Sequence, residues 1–66
     1  MDAEQWVRLF KYDHLSDELQ NISRPFRVLA AELVEDLPDG ALLHEALRKL
    51  WEAKNAAVMA RVVAND

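Results

Sequence analysis

Cysteine is absent from this chain of 66 residues, and no cluster of metal-binding side chains stands in its place. Neither of the usual staples of a small fold is therefore available. Glycine and proline are nearly absent too: the one glycine and one of the two prolines fall together in Asp36-Leu37-Pro38-Asp39-Gly40. No apolar run approaches the length needed to span a membrane. The acidic start, Met1-Asp2-Ala3-Glu4-Gln5, also lacks the charged-then-apolar order of a signal peptide, so a soluble, intracellular protein is expected. The formal net charge of -4 and a pI near 5.0 argue against a general DNA or RNA binder, whose affinity rests on many phosphate contacts. A single small anion is still compatible with that balance.

What the chain does have is apolar residues at helical spacing on both sides of the Pro38-Gly40 segment. Leu15, Leu19, Ile22, Phe26, Leu29 and Leu33 lead into it at 4-3-4-3-4 spacing, the pattern that keeps one helix face against a partner. Leu42, Ala46, Leu50, Ala53, Ala57, Ala60 and Ala64 lead out of it, with Leu43, Leu47, Trp51, Val58 and Val62 as a second stripe alongside. The segment between is the expected turn of a helical hairpin: Pro38 cannot continue the first helix and Asp39 can cap the second.

The expected fold is all-α and a single domain over residues 1–66, with a short helix over about 2–10, a long helix over 17–36 and a second long helix over about 40–64. Trp6, Val7 and Phe10 on one side of the short helix would cover an end of the hairpin, and residues 11–16 form a connector ending in a cap at Ser16. Pro25 removes the bond to the carbonyl of Asn21, which either kinks the first long helix or ends it, with Ser23 capping a separate helix from Arg24. Apolar residues make up 52 % of the chain, more than two helices can hide, and a chain of this length buries only about 60 % of its unfolded surface. Burial between copies, in a homo-oligomer, follows.

Charge is unevenly placed. Leu19 to Ala31 holds Arg24 and Arg27 and no acid, and Ala53 to Asn65 holds Lys54 and Arg61 and no acid. In an antiparallel hairpin, positions summing to about 78 face one another, which sets Arg24 level with Lys54 and Arg27 with Trp51. Lys11 and Tyr12 join that open mouth, while Glu32, Glu35, Asp36, Asp39 and Glu45 crowd the turn. Guanidinium groups beside an aromatic ring suit a nucleotide, with cations on phosphate and the ring stacked on a base. The same arginines and lysines at helical spacing also describe a solvated face, Tyr12 a packing lid, and Trp51 a core or interface residue. His14 and His44 lack a partner at metal-ligand spacing, and Asp13, His14 and Ser16 are too close together on one connector to align as a triad. No enzyme is indicated.

Phe10-Lys11-Tyr12-Asp13-His14, Arg24-Pro25-Phe26 followed by Ala30-Ala31-Glu32, Leu37-Pro38-Asp39-Gly40, and Glu45-Ala46-Leu47-Arg48-Lys49-Leu50-Trp51-Glu52-Ala53-Lys54 give the chain a family likeness. From about Arg8 to Arg61 it resembles the small phage proteins of the anti-CBASS cyclic-nucleotide sponge family. The resemblance implies a short N-terminal helix plus two long antiparallel helices, assembled head to tail into dimers and then into a homohexamer. It also implies phage immune evasion: cyclic di- or trinucleotide second messengers are sequestered, uncleaved and without a cofactor, in the cytoplasm of the infected bacterial host. In that family a base stacks on a connector tyrosine, which Tyr12 matches, and phosphate meets basic residues of the long helices. Arg27 matches one such position and Arg61 matches another more loosely, with Lys11, Arg24 and Lys54 nearby. The chain departs from the pattern in its hydroxyls: besides Tyr12 it has only Ser16 and Ser23, so the second long helix offers no Ser or Thr to a phosphate. Related anti-Thoeris sponges hold cyclic ADP-ribose isomers, and the sequence does not separate the two ligands. A competing class is a protein–protein interaction module with no small ligand, pairing through Trp51, Val58 and Val62.

Overall fold

The first two helices begin where a side chain accepts from an N–H that a helix start leaves without a partner. The computed structural model describes residues 2–64, in three helices: α1 (Ala3–Leu9), α2 (Asp17–Asp36) and α3 (Ala41–Ala64). At α1 a capping box forms: Asp2 Oδ1 accepts from the Gln5 N–H at 2.9 Å, and Gln5 Oε1 accepts from the Asp2 N–H at 2.8 Å. At α2 Ser16 Oγ accepts from the Leu19 N–H at 3.5 Å, with Asp17 and Glu18 at the positive end of the dipole. At α3 the expected cap differs. The helix starts at Ala41, the Gly40 carbonyl accepts the first intrahelical bond from the His44 N–H at 3.2 Å, and the Asp39 carboxylate is taken by the His44 ring instead.

Helix α2 runs through Pro25 without a break, so Ser23 caps nothing; it is buried inside the helix. Pro25 and Asn21 both lie on the exposed side. The carbonyl that loses its donor therefore meets water, which is why the proline is tolerated.

The buried seam keeps the expected 4-3-4-3 spacing but is rotated on both long helices. On α2 it runs through Leu19, Ser23, Phe26, Ala30 and Leu33, with Ser23 and Ala30 fully buried, and Leu29 stays 43 % exposed. On α3 it is the second stripe that turns inward: Leu43 and Leu47 are buried, Leu50 and Trp51 pack against them, and Leu42 is 85 % exposed. One residue along a helix is about 100° around it, so a shift of one position exchanges a core side chain for a surface one. The reason is the third helix. α1 touches both long helices and inserts Ala3 and Phe10 into the same cluster, with Trp6 against it. It lies along the hairpin rather than over an end, and the long helices turn to meet it.

A polar chain holds α1 in place. Trp6 Nε1–H donates to His44 Nδ1 at 3.2 Å, and His44 Nε2 lies 2.9 Å from Asp39 Oδ1. Since Nδ1 accepts, the proton sits on Nε2 and is donated to Asp39, which assigns the neutral tautomer.

On the flank that α1 leaves uncovered, Ile22, Ala57, Ala60, Arg61 and Ala64 line an open groove. Among the described residues, no helix is long and apolar enough to cross a membrane.

Leu47→Ala should lower the unfolding free energy by about 2–5 kcal/mol in urea titration, and Leu29→Ala by less than half as much. Ser23 Oγ is buried without a hydrogen-bond partner among the described residues. Ser23→Ala, which removes that unsatisfied group, should leave the urea midpoint unchanged or raise it.

Candidate ligand-binding site

The connector is held rigidly enough to aim Tyr12. Phe10, with no exposed surface, anchors its start; the Lys11 N–H donates to the Arg8 carbonyl at 3.2 Å and the Leu15 N–H to the Tyr12 carbonyl at 3.0 Å. Gln20 of α2 ties down the rest, its Nε2 donating to the Leu15 carbonyl at 2.8 Å and to the Asp13 carbonyl at 3.4 Å.

Arg24 and Arg27, three residues apart on α2, share the face that meets this connector. Their guanidinium carbons lie 5.6 and 5.9 Å from the centre of the Tyr12 ring, within cation–π range. Among the described residues neither arginine has a carboxylate at ion-pairing distance. Beside them opens a pocket of about 250 Å³ lined by Val7, Tyr12, Arg27, Val28 and Ala31. An aromatic ring, two uncompensated planar cations and an apolar wall suit a flat ligand that carries an anionic group. The volume falls below the roughly 300–1,000 Å³ of ordinary small-molecule sites, so one copy of the chain encloses only part of such a ligand.

The six basic and aromatic residues singled out from the sequence do not form one mouth; they divide among three places. Tyr12, Arg24 and Arg27 make the first. Lys11 and Lys54 come together at a second pocket of about 340 Å³, with His14, Leu15, Asn55, Val58 and Met59. Partial burial holds the Lys54 amine below the usual lysine value, and its Nζ lies 5.9 Å from the centre of the Trp51 ring. Arg61 stands apart in the groove of the uncovered flank, and its Nε is 3.4 Å from Glu18 Oε1. That pair fits the antiparallel register read from the sequence, but it leaves Arg61 already matched to an acid.

Val7, Val28 and Ala31 were missed as lining residues. Only Val7 had a signal, its place on the apolar side of α1. Val28 and Ala31 become a wall because α2 turned toward α1, which no local pattern announces.

Near the turn, Arg48 Nη2 donates to Glu45 Oε1 at 2.6 Å, Arg48 Nη1 to Glu52 at 3.2 Å, and Lys49 Nζ lies 3.4 Å from Glu45. The hydrogen bond from Arg48 is the main reason the Glu45 carboxyl sits below its ordinary value. Among the described residues no group of three or more acids, histidines or cysteines is placed to hold a metal ion. Compared with known proteins, the chain matches no family model, no curated protein and no solved structure.

An exposed cation–π contact contributes about 0.5–1 kcal/mol. Arg27→Gln should therefore shift the urea midpoint only slightly and leave the helical circular dichroism intact, so that any binding defect in such a variant is a defect of the site.

Proposed function

We propose that this protein binds and sequesters a small cyclic oligonucleotide without cleaving it, at the pocket where Arg24 and Arg27 flank Tyr12. The observation that carries the proposal is that pairing of two arginines, neither matched by an acid among the described residues, with one half-buried aromatic ring. A base stacked on Tyr12 would place its phosphate toward the guanidinium groups, and base–aromatic stacking contributes about 1–3 kcal/mol per base. The resemblance of Tyr12 and Arg27 to the phage sponge pattern supports the same class of ligand and the same setting, immune evasion in the cytoplasm of an infected bacterium.

A homo-oligomer completes the proposal. Leu9, Val28, Leu29, Leu37, Leu42, Met59, Val62 and Val63 are all more than a third exposed, a large apolar surface for so short a chain, and the Tyr12 pocket is too small to enclose a cyclic dinucleotide alone. A hexamer built from dimers is the assembly the resemblance favours.

The test is a melting-temperature screen against cyclic di- and trinucleotides and cyclic ADP-ribose isomers. At least one should raise the melting temperature and be recovered unchanged by chromatography. Tyr12→Ala and Arg27→Ala should each weaken binding by about one to two orders of magnitude, in keeping with the stacking energy, while solution mass is kept. A flat response across the panel would overturn the ligand. A second reading, a protein-interaction module, is favoured by Met59, Val62 and Val63 standing exposed together near the end of α3. One stoichiometric protein partner, with no response to any nucleotide, would establish that reading instead.

A further inference from the structure

Helix α1 has seven residues, too few to persist without the rest of the fold, and its hold on the hairpin combines apolar packing with a side-chain hydrogen bond. Ala3, Trp6 and Phe10 supply the packing. The bond runs from the half-buried Trp6 indole N–H to Nδ1 of His44 at 3.2 Å, and it exists only while Nδ1 keeps a free lone pair.

The surroundings of the imidazole decide what a proton does there. On its far side Nε2 lies 2.9 Å from Asp39 Oδ1; the His44 side chain is 28 % exposed and that of Asp39 71 %, so the Asp39 side is the one open to water. No other acid lies at ion-pairing distance from the ring among the described residues. On α3 itself Glu45 and Arg48 are paired with each other, and on α1 Glu4 and Arg8 are exposed. From α2, Leu33 and Val34 pack against the cluster and are apolar, while Glu35 and Asp36 are exposed. Asp39 is therefore the partner left for an imidazolium. A protonated ring donates from both nitrogens, which sets the Nδ1–H against the Trp6 N–H, donor facing donor, while the bond to Asp39 gains charge assistance. One tie breaks and the other strengthens.

We propose that His44 is a pH-sensitive latch for α1: neutral, it holds Trp6; protonated, it turns to Asp39 and lets Trp6 go. The release reaches the Tyr12 pocket, because Val7, the neighbour of Trp6, forms part of its wall and the connector to Tyr12 continues from the end of α1. Acid loosens that pocket. By linkage, a ligand that needs α1 in place resists protonation of His44 to the same degree. The consequence for a ligand rests on the proposed function; the latch itself does not, so it is tested on the protein alone.

The chain has two tryptophans and one tyrosine, which makes each indole N–H and the Tyr12 ring separate signals in nuclear magnetic resonance, with Trp51→Phe assigning Trp6. From about pH 8 to about pH 5, the range over which histidine changes charge, protection of the Trp6 indole N–H from solvent exchange, taken relative to Trp51, should fall about two- to tenfold, as loss of one hydrogen bond implies. The Trp6 and Tyr12 shifts should follow the titration midpoint of His44 and not that of His14. His44→Asn places an amide oxygen where Nδ1 was and cannot titrate, so its Trp6 protection should be the same at both pH values. A wild-type ratio that stays constant, or an equal fall in His44→Asn, would overturn the latch. A Trp6 response that leaves Tyr12 unmoved would overturn its reach to the pocket. Should His44→Asn lose helical circular dichroism, the wild-type midpoints decide alone: coincidence with His44 supports the latch, and any other midpoint sinks it. A nucleotide panel without a response removes the proposed ligand and alters none of these outcomes.

Discussion

Phe10, wholly buried in one cluster with Ala30, Leu43 and Leu47, is the contact from which the other features follow. Burying a side chain of that size contributes about 1.5–3 kcal/mol, a large share of the stability open to a chain of this length. It turns a two-helix hairpin into a three-helix arrangement and draws α1 along the hairpin. It also rotates the long helices so that Ser23 and Ala30, rather than Ile22 and Leu29, face inward. Small residues at those positions let neighbouring elements approach closely, where Leu29 would have held them apart.

The same contact decides where chemistry can occur. With Phe10 fixed, Tyr12 two residues later has little freedom, and the connector bonds to Gln20 remove more of it. The ring then sits against Arg24 and Arg27, whose charges no acid offsets among the described residues. The basic residues are split by this arrangement: those of α2 gather at Tyr12, Lys54 of α3 meets Lys11, and Arg61 is held by Glu18.

Charge and apolar area are both left over after folding. A five-residue buried cluster is small for three helices, and the apolar side chains left exposed lie on more than one face. Surface charges contribute little to the stability of a single copy, because water and salt screen them. They matter more for which surfaces of two copies can meet.

Much of the fold could be read locally. The boundaries of α2 match the sequence reading and those of α1 and α3 lie within one residue of it, because capping residues, the Pro38–Gly40 segment and the lack of interior glycine act over a few residues. Tyr12 with Arg24 and Arg27 was legible for a similar reason: a connector aromatic and two cations at helical spacing needed only adjacency to α2. What the residues could not convey was rotation. Both stripes on α3 had helical spacing, and on α2 the seams through Leu29 and through Ala30 obey the same period, so periodicity alone could not choose between them. The choice fell to packing against α1, which depends on residues distant in the chain and on which side chains fill the space among three helices. Composition and spacing therefore determined the elements and the turn of this protein. Only tertiary packing decided which faces are buried, which cations share a pocket, and which apolar residues, Leu42 above all, are left on the surface.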